Sequence, residues 1–256
     1  MTRLHLFGDS YTQGHLLDTT FPPYKEWREY RGTDLPLPWA DILSIKLNMN
    51  VLNNAVAGMS NPEIFNTICE KSHEFGFGDI VIVNWTFNHR FRWVTWDDDL
   101  FEYRWRRFSL SKTDGRYIDE NVREAIASNR IHQIQIDEIY SYQKLLLEYA
   151  SVKKFHLFFW SADVDIINCL PNKELLSDKY ILNDEIVKIP PLNIHHDKVR
   201  TLFDVIKKHG GKTIEEETNF TIHDGGHMGE SGHQVQANLF YDYITNYLKI
   251  NTKQII

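Results

Sequence analysis

Four short segments of the chain are almost continuously apolar, and segments with a helical spacing of apolar residues lie between and after them. The apolar segments are residues 4–7, 51–56, 79–85 and 155–160, and the helical ones are residues 39–47, 131–150 and 234–248. An unbroken apolar run is typical of a strand that is buried on both faces of a parallel sheet. Ser60, followed by Pro62 and Glu63, has the pattern of a further helix start. Strands that alternate with helices predict an α/β fold in which helices cover both faces of a central parallel sheet.

Two segments interrupt this alternation. Residues 91–130 and 163–196 are long, of mixed polarity and without a clear period, so we interpret both as inserted loops. Long loops in compact domains often bind a ligand or cover a site. A length of 256 residues suits one α/β domain. We therefore expect a single domain over residues 1–256, with a separate second domain as the alternative.

The composition argues against some classes of function. A formal net charge of -7 is unlike the basic surface of a nucleic-acid-binding protein, and it gives no attraction to an anionic membrane. The first residues lack the long apolar core of a signal peptide, and no apolar stretch is long enough to span a bilayer. We therefore expect no signal peptide, no nucleic-acid or membrane partner, and a location in the cytoplasm or in a virus particle.

Several residues that can bind metals or form disulfides have simpler interpretations. Cys69 and Cys169 have no ligand-spaced neighbours, so we expect both to be small buried apolar residues. Adjacent carboxylates at 97–99 cannot all face one ion without a bend, which favours a solvated loop over a calcium site. His195 and His196 lack partners at zinc spacing. We expect no metal and no cofactor.

A candidate nucleophile follows the first predicted strand. Gly8, Asp9 and Ser10 come directly after the apolar run that ends at Phe7. Ligands of open α/β sheets bind at the carboxyl ends of the strands, where a turn at Gly8 would present Ser10. A serine hydroxyl needs an adjacent base to be nucleophilic at neutral pH. Taken alone, this tripeptide is equally compatible with a turn or a helix cap.

A candidate base lies near the other end of the chain. Asp224 and His227 are three residues apart in an Asp-Gly-Gly-His turn, a spacing at which the carboxylate can orient the imidazole. A surface loop with a polar histidine is the alternative for this motif alone. Oxyanion donors have candidates after the second and third strands, where Gly58 offers a backbone N–H and Asn88 a side-chain amide. All these pieces fall on one predicted edge of the sheet.

In these blocks the sequence resembles the SGNH, or GDSL-like, hydrolase family. The similarity lies in residues 7–14, at Gly58, at Asn88 and in residues 224–233, and it extends discontinuously to about residue 248. The resemblance implies a flavodoxin-like three-layer α/β/α fold and hydrolysis of carboxylic esters without metal or cofactor. It implies Ser10 as nucleophile, His227 as general base and Asp224 as its orienting partner. It also implies an oxyanion hole formed by the Ser10 N–H, the Gly58 N–H and the Asn88 side chain.

The chain departs from the family pattern in the third block. Thr86 stands where the family usually has glycine, and His89 stands where it usually has aspartate. Thr86 is expected to tighten the loop that presents Asn88, and His89 is either a substrate-binding or a structural residue. The candidate substrate-binding residues are Asp9, Tyr11, Trp85, His89 and Trp93.

The segment after Asn88 is rich in aromatic residues interleaved with arginines. We interpret it as a lid or platform on which sugar rings stack, with arginines that contact acidic sugars. A satellite core with solvated arginines, a nucleic-acid stacking surface and an oligomer contact are the alternatives. The sequence thus predicts an esterase that removes O-acetyl or other acyl groups from a polysaccharide or small-molecule ester. The alternative is a non-catalytic carbohydrate-binding or structural component, such as one of a virus particle.

Overall fold

The computed structural model describes residues 2–14, 36–87, 90–97, 102–109, 129–161, 180–182, 185–187, 206–218 and 227–253. The strands are β1 (Arg3–Phe7), β2 (Asn50–Asn53), β3 (Ile80–Trp85), β4 (Arg90–Asp97), β5 (Glu102–Ser109), β6 (His156–Ser161), β7 (Tyr180–Leu182) and β8 (Glu185–Val187). The helices are α1 (Ser10–Gln13), α2 (Trp39–Leu47), α3 (Asn61–Lys71), α4 (Asn129–Lys153), α5 (Ile214–Thr218) and α6 (Glu230–Lys253), with a 3-10 turn at Ser72–Glu74.

The centre of the molecule is a four-stranded sheet in the order β2-β1-β3-β6. All three strand pairings are parallel, with Leu4 beside both Val51 and Ile80, and Ile80 beside His156. This order corresponds to the first four positions of the flavodoxin-like arrangement. The predicted α/β fold with a central parallel sheet is therefore confirmed.

Apolar side chains alternate between the two faces of this sheet, and each face has its own helices. On one face, Leu6, Ile82 and Trp160 pack with side chains of α2 and α6, among them Trp39 and Phe240. On the other face, side chains of β1, β3 and β6 pack with α3 and α4; this set includes Phe7, Val83, Leu157, Ile64 and Leu146. Burial on both faces is the reason that these strands are continuously apolar in sequence.

The predicted helix at 39–47 has the observed bounds of α2, and Ser60 is the N-cap of α3 as predicted. The Ser60 N–H donates to the Glu63 carboxylate at 2.9 Å, which satisfies one of the free donors at the helix start. The other two predicted helices are longer, since α4 and α6 begin and end beyond 131–150 and 234–248. The strand predicted at residues 51–56 is shorter in the structure, because β2 ends at Asn53.

The interpretation of 91–130 and 163–196 as loops is wrong in part. Strands β4 and β5 pair as an antiparallel hairpin, with Phe91 opposite Phe108 and Trp96 opposite Tyr103. Strands β7 and β8 form a second, short hairpin. Aromatic residues favour strands, but the arginines between them break the continuous apolar run that marks a buried strand in sequence. Residues 110–128 lie outside the described part of the chain.

The prediction that Cys69 is buried is also wrong. The thiol-bearing residue is exposed on α3, where Ile64 and Ile68 occupy the buried side. Neighbouring helical residues are about 100° apart around the axis, so Cys69 turns away from the core that Ile68 enters. Cys169, His195, His196 and the acidic residues 98 and 99 lie outside the described residues. Among the helices in the described ranges, none has the length and apolar character needed to traverse a bilayer.

Candidate functional site

Ser10 lies at the carboxyl edge of the sheet, at the first position of α1. Gly8, between β1 and this helix, leaves no space for a side chain: a Cβ there would lie 2.4 Å from Thr12 Oγ1 and 2.8 Å from Asn84 Cβ. Only glycine therefore permits the chain to turn this closely against β3. The Ser10 side chain is 4% exposed, and its Oγ has no hydrogen-bond partner in the part of the chain that the structure describes.

His227 lies beside the residue that follows Ser10. Its imidazole ring stacks on the Tyr11 ring, with centroids 4.8 Å apart and planes inclined by 17°. Tyr11 is also in edge contact with Phe87, which follows β3. The fold thus brings the first and last sequence blocks together, although the hydrogen bond between Ser10 Oγ and an imidazole nitrogen is not formed in this structure.

Backbone pairing fixes the segment that carries His227. Thr213 and Met228 form an antiparallel bridge, in which the Ile214 N–H donates to the His227 carbonyl at 2.9 Å. The Glu217 carboxylate then accepts from the N–H groups of Glu230 and Ser231, each at 2.8 Å. A carboxylate at this position satisfies free donors at the start of α6 and is stabilised by the helix dipole.

His233 is a second buried histidine next to the site. Its Nδ1 accepts a hydrogen bond from the Trp39 backbone N–H at 3.1 Å, which joins the start of α2 to α6. Burial, together with a smaller effect of the neighbouring His227, lowers the pKa of His233 to about 3. The ring is therefore neutral at physiological pH, with its proton on Nε2 because Nδ1 accepts. The sequence motif contained this histidine but gave no indication of its partner.

Asp9 is a fully buried carboxylate whose oxygens accept hydrogen bonds from the protein. Oδ1 accepts from the Tyr11 N–H at 3.1 Å and from Asn84 Nδ2 at 2.9 Å. Oδ2 accepts from the Thr86 hydroxyl at 2.6 Å. Asp9 is 0% exposed, and these contacts cap α1 and tie that helix to β3, while substrate binding by Asp9 stays a prediction.

Thr86 is held from a second side by Asn61. The Thr86 N–H donates to Asn61 Oδ1 at 2.8 Å, and Asn61 Nδ2 donates to the Thr86 carbonyl at 3.0 Å. Sequence reasoning missed Asn61, because its position after the helix cap Ser60 suggested only a helix start. It also missed Asn84, whose place within an apolar strand was the one available signal.

Gly58 lies in a turn that is fastened to the Ser10 segment. The Val56 N–H donates to the Gly8 carbonyl at 3.2 Å, and the Ala57 N–H donates to Gln13 Oε1 at 2.8 Å. Gly58 has a φ of 77°, in the left-handed region that favours glycine. The turn therefore stays next to α1, where the family resemblance requires an oxyanion donor.

The remaining predicted site residues have different outcomes. Trp85 is 0% exposed and stacks on Tyr142 and Phe159 in the core beneath α4, and substrate binding by Trp85 stays a prediction. Trp93 lies in β4, opposite Arg106.

The predicted residues Asn88, His89 and Asp224 lie outside the described part of the chain. Within the described residues, no group of three or more histidine, cysteine or acidic residues is arranged to hold a metal ion.

No protein-family model matches the chain. A search of curated proteins also found no significantly similar sequence.

Proposed function

We propose that this chain is a serine hydrolase that cleaves carboxylic esters, with an O-acetyl or other O-acyl group on a carbohydrate as its substrate. The observation that carries the proposal is the stacking of His227 on Tyr11, directly beside Ser10. A buried hydroxyl and an imidazole, 217 residues apart in sequence (from 10 to 227), thereby share one edge of a parallel sheet. This edge is where open α/β sheets bind their ligands.

In the proposed reaction, Ser10 Oγ attacks the acyl carbonyl carbon while His227 accepts the hydroxyl proton. The carbonyl oxygen becomes an oxyanion, for which the Ser10 N–H, the Gly58 N–H and the Asn88 side chain are the proposed donors. The tetrahedral intermediate collapses, the C–O bond to the alcohol breaks, and His227 returns the proton to the leaving oxygen. Water then hydrolyses the acyl-serine by the same steps, with Asp224 as the orienting partner of His227.

The Ser10–His227 hydrogen bond is part of the proposed mechanism rather than of this structure. Catalytic hydrogen bonds commonly form or shorten only when substrate is bound. The Ser10 hydroxyl has no competing partner among the described residues, so no existing bond has to break before it reaches the imidazole.

The substrate class is argued from the hairpin that follows the site. Strand β4 begins five residues after Trp85 and contacts α3, the helix that carries Asn61. Both hairpin strands contain aromatic and arginine residues, which alternate over residues 90–93 and 103–106. Aromatic rings combine large contact area with low loss of conformational entropy, which suits the flat faces of sugar rings, and arginines suit carboxylate-bearing sugars. We propose no nucleic-acid partner and no cofactor.

A non-catalytic carbohydrate-binding or structural role is the second candidate. It is favoured by the unusual third block, in which Thr86 and His89 replace the usual glycine and aspartate. The absence of a formed Ser10–His227 hydrogen bond in this structure also agrees with it. Catalysis and its dependence on Ser10 decide between the two candidates.

The test is covalent labelling with a fluorophosphonate, followed by mass spectrometry of the modified peptide. We expect one adduct, on Ser10, and none in Ser10→Ala. Ser72→Ala is the matched control, because Ser72 is a partly exposed serine on the 3-10 turn. Release of acetate from a panel of acetylated neutral and acidic glycans then identifies the substrate. Labelling that persists in Ser10→Ala, or its absence from the wild type together with no acetate release, would overturn the proposal.

A further inference from the structure

Four buried polar residues connect the Ser10 turn to the end of β3 and to the start of α3. Asp9, Asn61, Asn84 and Thr86 are each at most 4% exposed. They come from three separate stretches of sequence, yet hydrogen bonds connect their side chains and the Thr86 backbone into one continuous set. Buried networks of this kind fix one arrangement of the segments that they join.

The Asn61 amide acts as a substitute for a neighbouring strand. Its Oδ1 accepts from the Thr86 N–H and its Nδ2 donates to the Thr86 carbonyl, as a backbone partner would. Thr86 is the first residue after β3, so this pairing extends the order of the strand by one residue. The backbone of Thr86 is therefore held at both its donor and its acceptor.

The Thr86 hydroxyl supplies the link to the nucleophile turn. It donates to Asp9 Oδ2 at 2.6 Å, while the other oxygen of the same carboxylate accepts from the Tyr11 N–H. Hydrogen bonds to a buried carboxylate are stronger than those between neutral groups. A glycine at position 86 would lack this hydroxyl and would leave one donor fewer for the buried charge.

We propose that Thr86 and Asn61 are positioning residues, which hold the chain leaving β3 at a fixed separation from Ser10. The inference rests on the proposed function, in which Asn88, two residues further along the chain, is an oxyanion donor. Thr86 thus replaces the flexibility of the usual glycine with a side-chain clamp. An oxyanion donor is effective only within a narrow distance of the developing charge, so a loosened clamp impairs the transition state more than substrate binding.

The experiment measures kcat and KM for a small chromogenic acetate with Thr86→Val, Thr86→Ser and Thr86→Gly. Valine keeps the shape but removes the hydroxyl, serine keeps the hydroxyl, and glycine restores the usual family residue. We expect kcat to fall roughly 10- to 100-fold in the valine and glycine variants, since misplacement by about 1 Å can cost that much. Serine should stay within about threefold of wild type, and KM should change little in all three. Thr67→Val, which removes a hydroxyl bonded within α3, is the matched control.

Each variant is then combined with Asn88→Ala. If Thr86 acts through Asn88, the valine substitution causes no further loss in that background. An additive loss, an unchanged kcat in Thr86→Val, or full activity in Thr86→Gly would overturn the inference. If Thr86→Val folds poorly, as judged by circular dichroism, the comparison of serine with glycine decides. Wild-type protein without Ser10-dependent turnover instead refutes the proposed function, which separates the two failures.

Discussion

Two buried aspartates lie at opposite edges of the parallel sheet: Asp79 directly precedes β3, and Asp9 follows the end of β1. Their carboxylates are stabilised in different ways. Asp79, at the amino edge, pairs with the Arg3 guanidinium at 3.1 Å and also accepts from the Arg3 and Gly76 N–H groups. Asp9, at the carboxyl edge, accepts from the uncharged donors of Tyr11, Asn84 and Thr86. The charge of Asp79 is balanced by the charge of Arg3, whereas Asp9 is held by uncharged polar groups next to Ser10.

The contacts of Asp79 at the amino edge stabilise the fold. His5 Nε2 lies 3.3 Å from Asp79 Oδ2, and the Arg3 guanidinium also donates to the Glu74 carbonyl. Burial would raise the pKa of Asp79, but hydrogen bonds from Gly76 and Arg3 and the charge of Arg3 outweigh it, so the pKa is lowered. The carboxyl edge instead keeps a buried hydroxyl that no described residue engages. Burial of a polar group therefore indicates a functional site only where that group remains available for chemistry.

Removal of the two edge histidines should have opposite consequences. We expect His227→Ala to lower kcat/KM for a chromogenic acetate by at least about 1000-fold, since it removes the proposed general base. His5→Ala should leave kcat/KM within about twofold and lower the thermal midpoint. Steady-state kinetics and calorimetry of both variants provide the measurement. Equal losses of activity in the two would end the distinction between the edges.

Asp79→Ala should destabilise the protein without an effect on hydrolysis. Loss of a carboxylate from a buried ion pair leaves its partners unpaired, and we expect about 2 kcal/mol. This value is below the roughly 3–5 kcal/mol that is typical of a fully buried pair, because the Arg3 side chain is 34% exposed and can be solvated. Urea unfolding followed by circular dichroism measures the change. A stability equal to that of the wild type would show that the Asp79 carboxylate does not stabilise the fold.

Acidification should weaken the fold through His233 before it reaches Asp79. His233 has an ordinary pKa of 6.5 and a folded pKa of about 3, so the unfolded state binds the proton first as pH falls. Its contribution is fully present above pH 6.5 and declines below it, by about 2 kcal/mol at pH 5. Asp79 has a lowered pKa, so its contribution is lost only below its ordinary value of 3.8.

The measurement is the urea midpoint of wild type and His233→Asn between pH 7 and pH 5. Asparagine can still accept from the Trp39 N–H but does not titrate, so we expect a smaller pH dependence in this variant. A pH dependence that is identical in the two proteins would contradict the assignment to His233.

Arg3→Ala should have the smallest effect of the set. Asp79 keeps its hydrogen bonds from the Gly76 and Arg3 backbone N–H groups, which do not depend on the arginine side chain. We expect a loss of about 1 kcal/mol, less than for Asp79→Ala, because the exposed part of the guanidinium is screened by water. The two variants are compared in the same unfolding assay. A larger loss for Arg3→Ala would reverse the proposed order.

The sequence alone was enough to predict the strands of the parallel sheet, the start of α3 at Ser60 and the position of Ser10 after β1. These features depend on neighbouring residues, since an apolar run, a cap and a turn glycine are read within a few positions of one another. It did not reveal the hairpin of β4 and β5, whose arginines hide the strand pattern.

The contacts between distant polar residues could be identified only from the tertiary structure. Asp9 and Trp85 looked like substrate contacts in sequence but are buried in the protein, while Asn61 drew no attention and holds Thr86. The contact of Tyr11 with His227 joins opposite ends of the chain. Such pairings arise from the order of strands in the sheet and the packing of helices on it, and therefore no local pattern of residues encodes them.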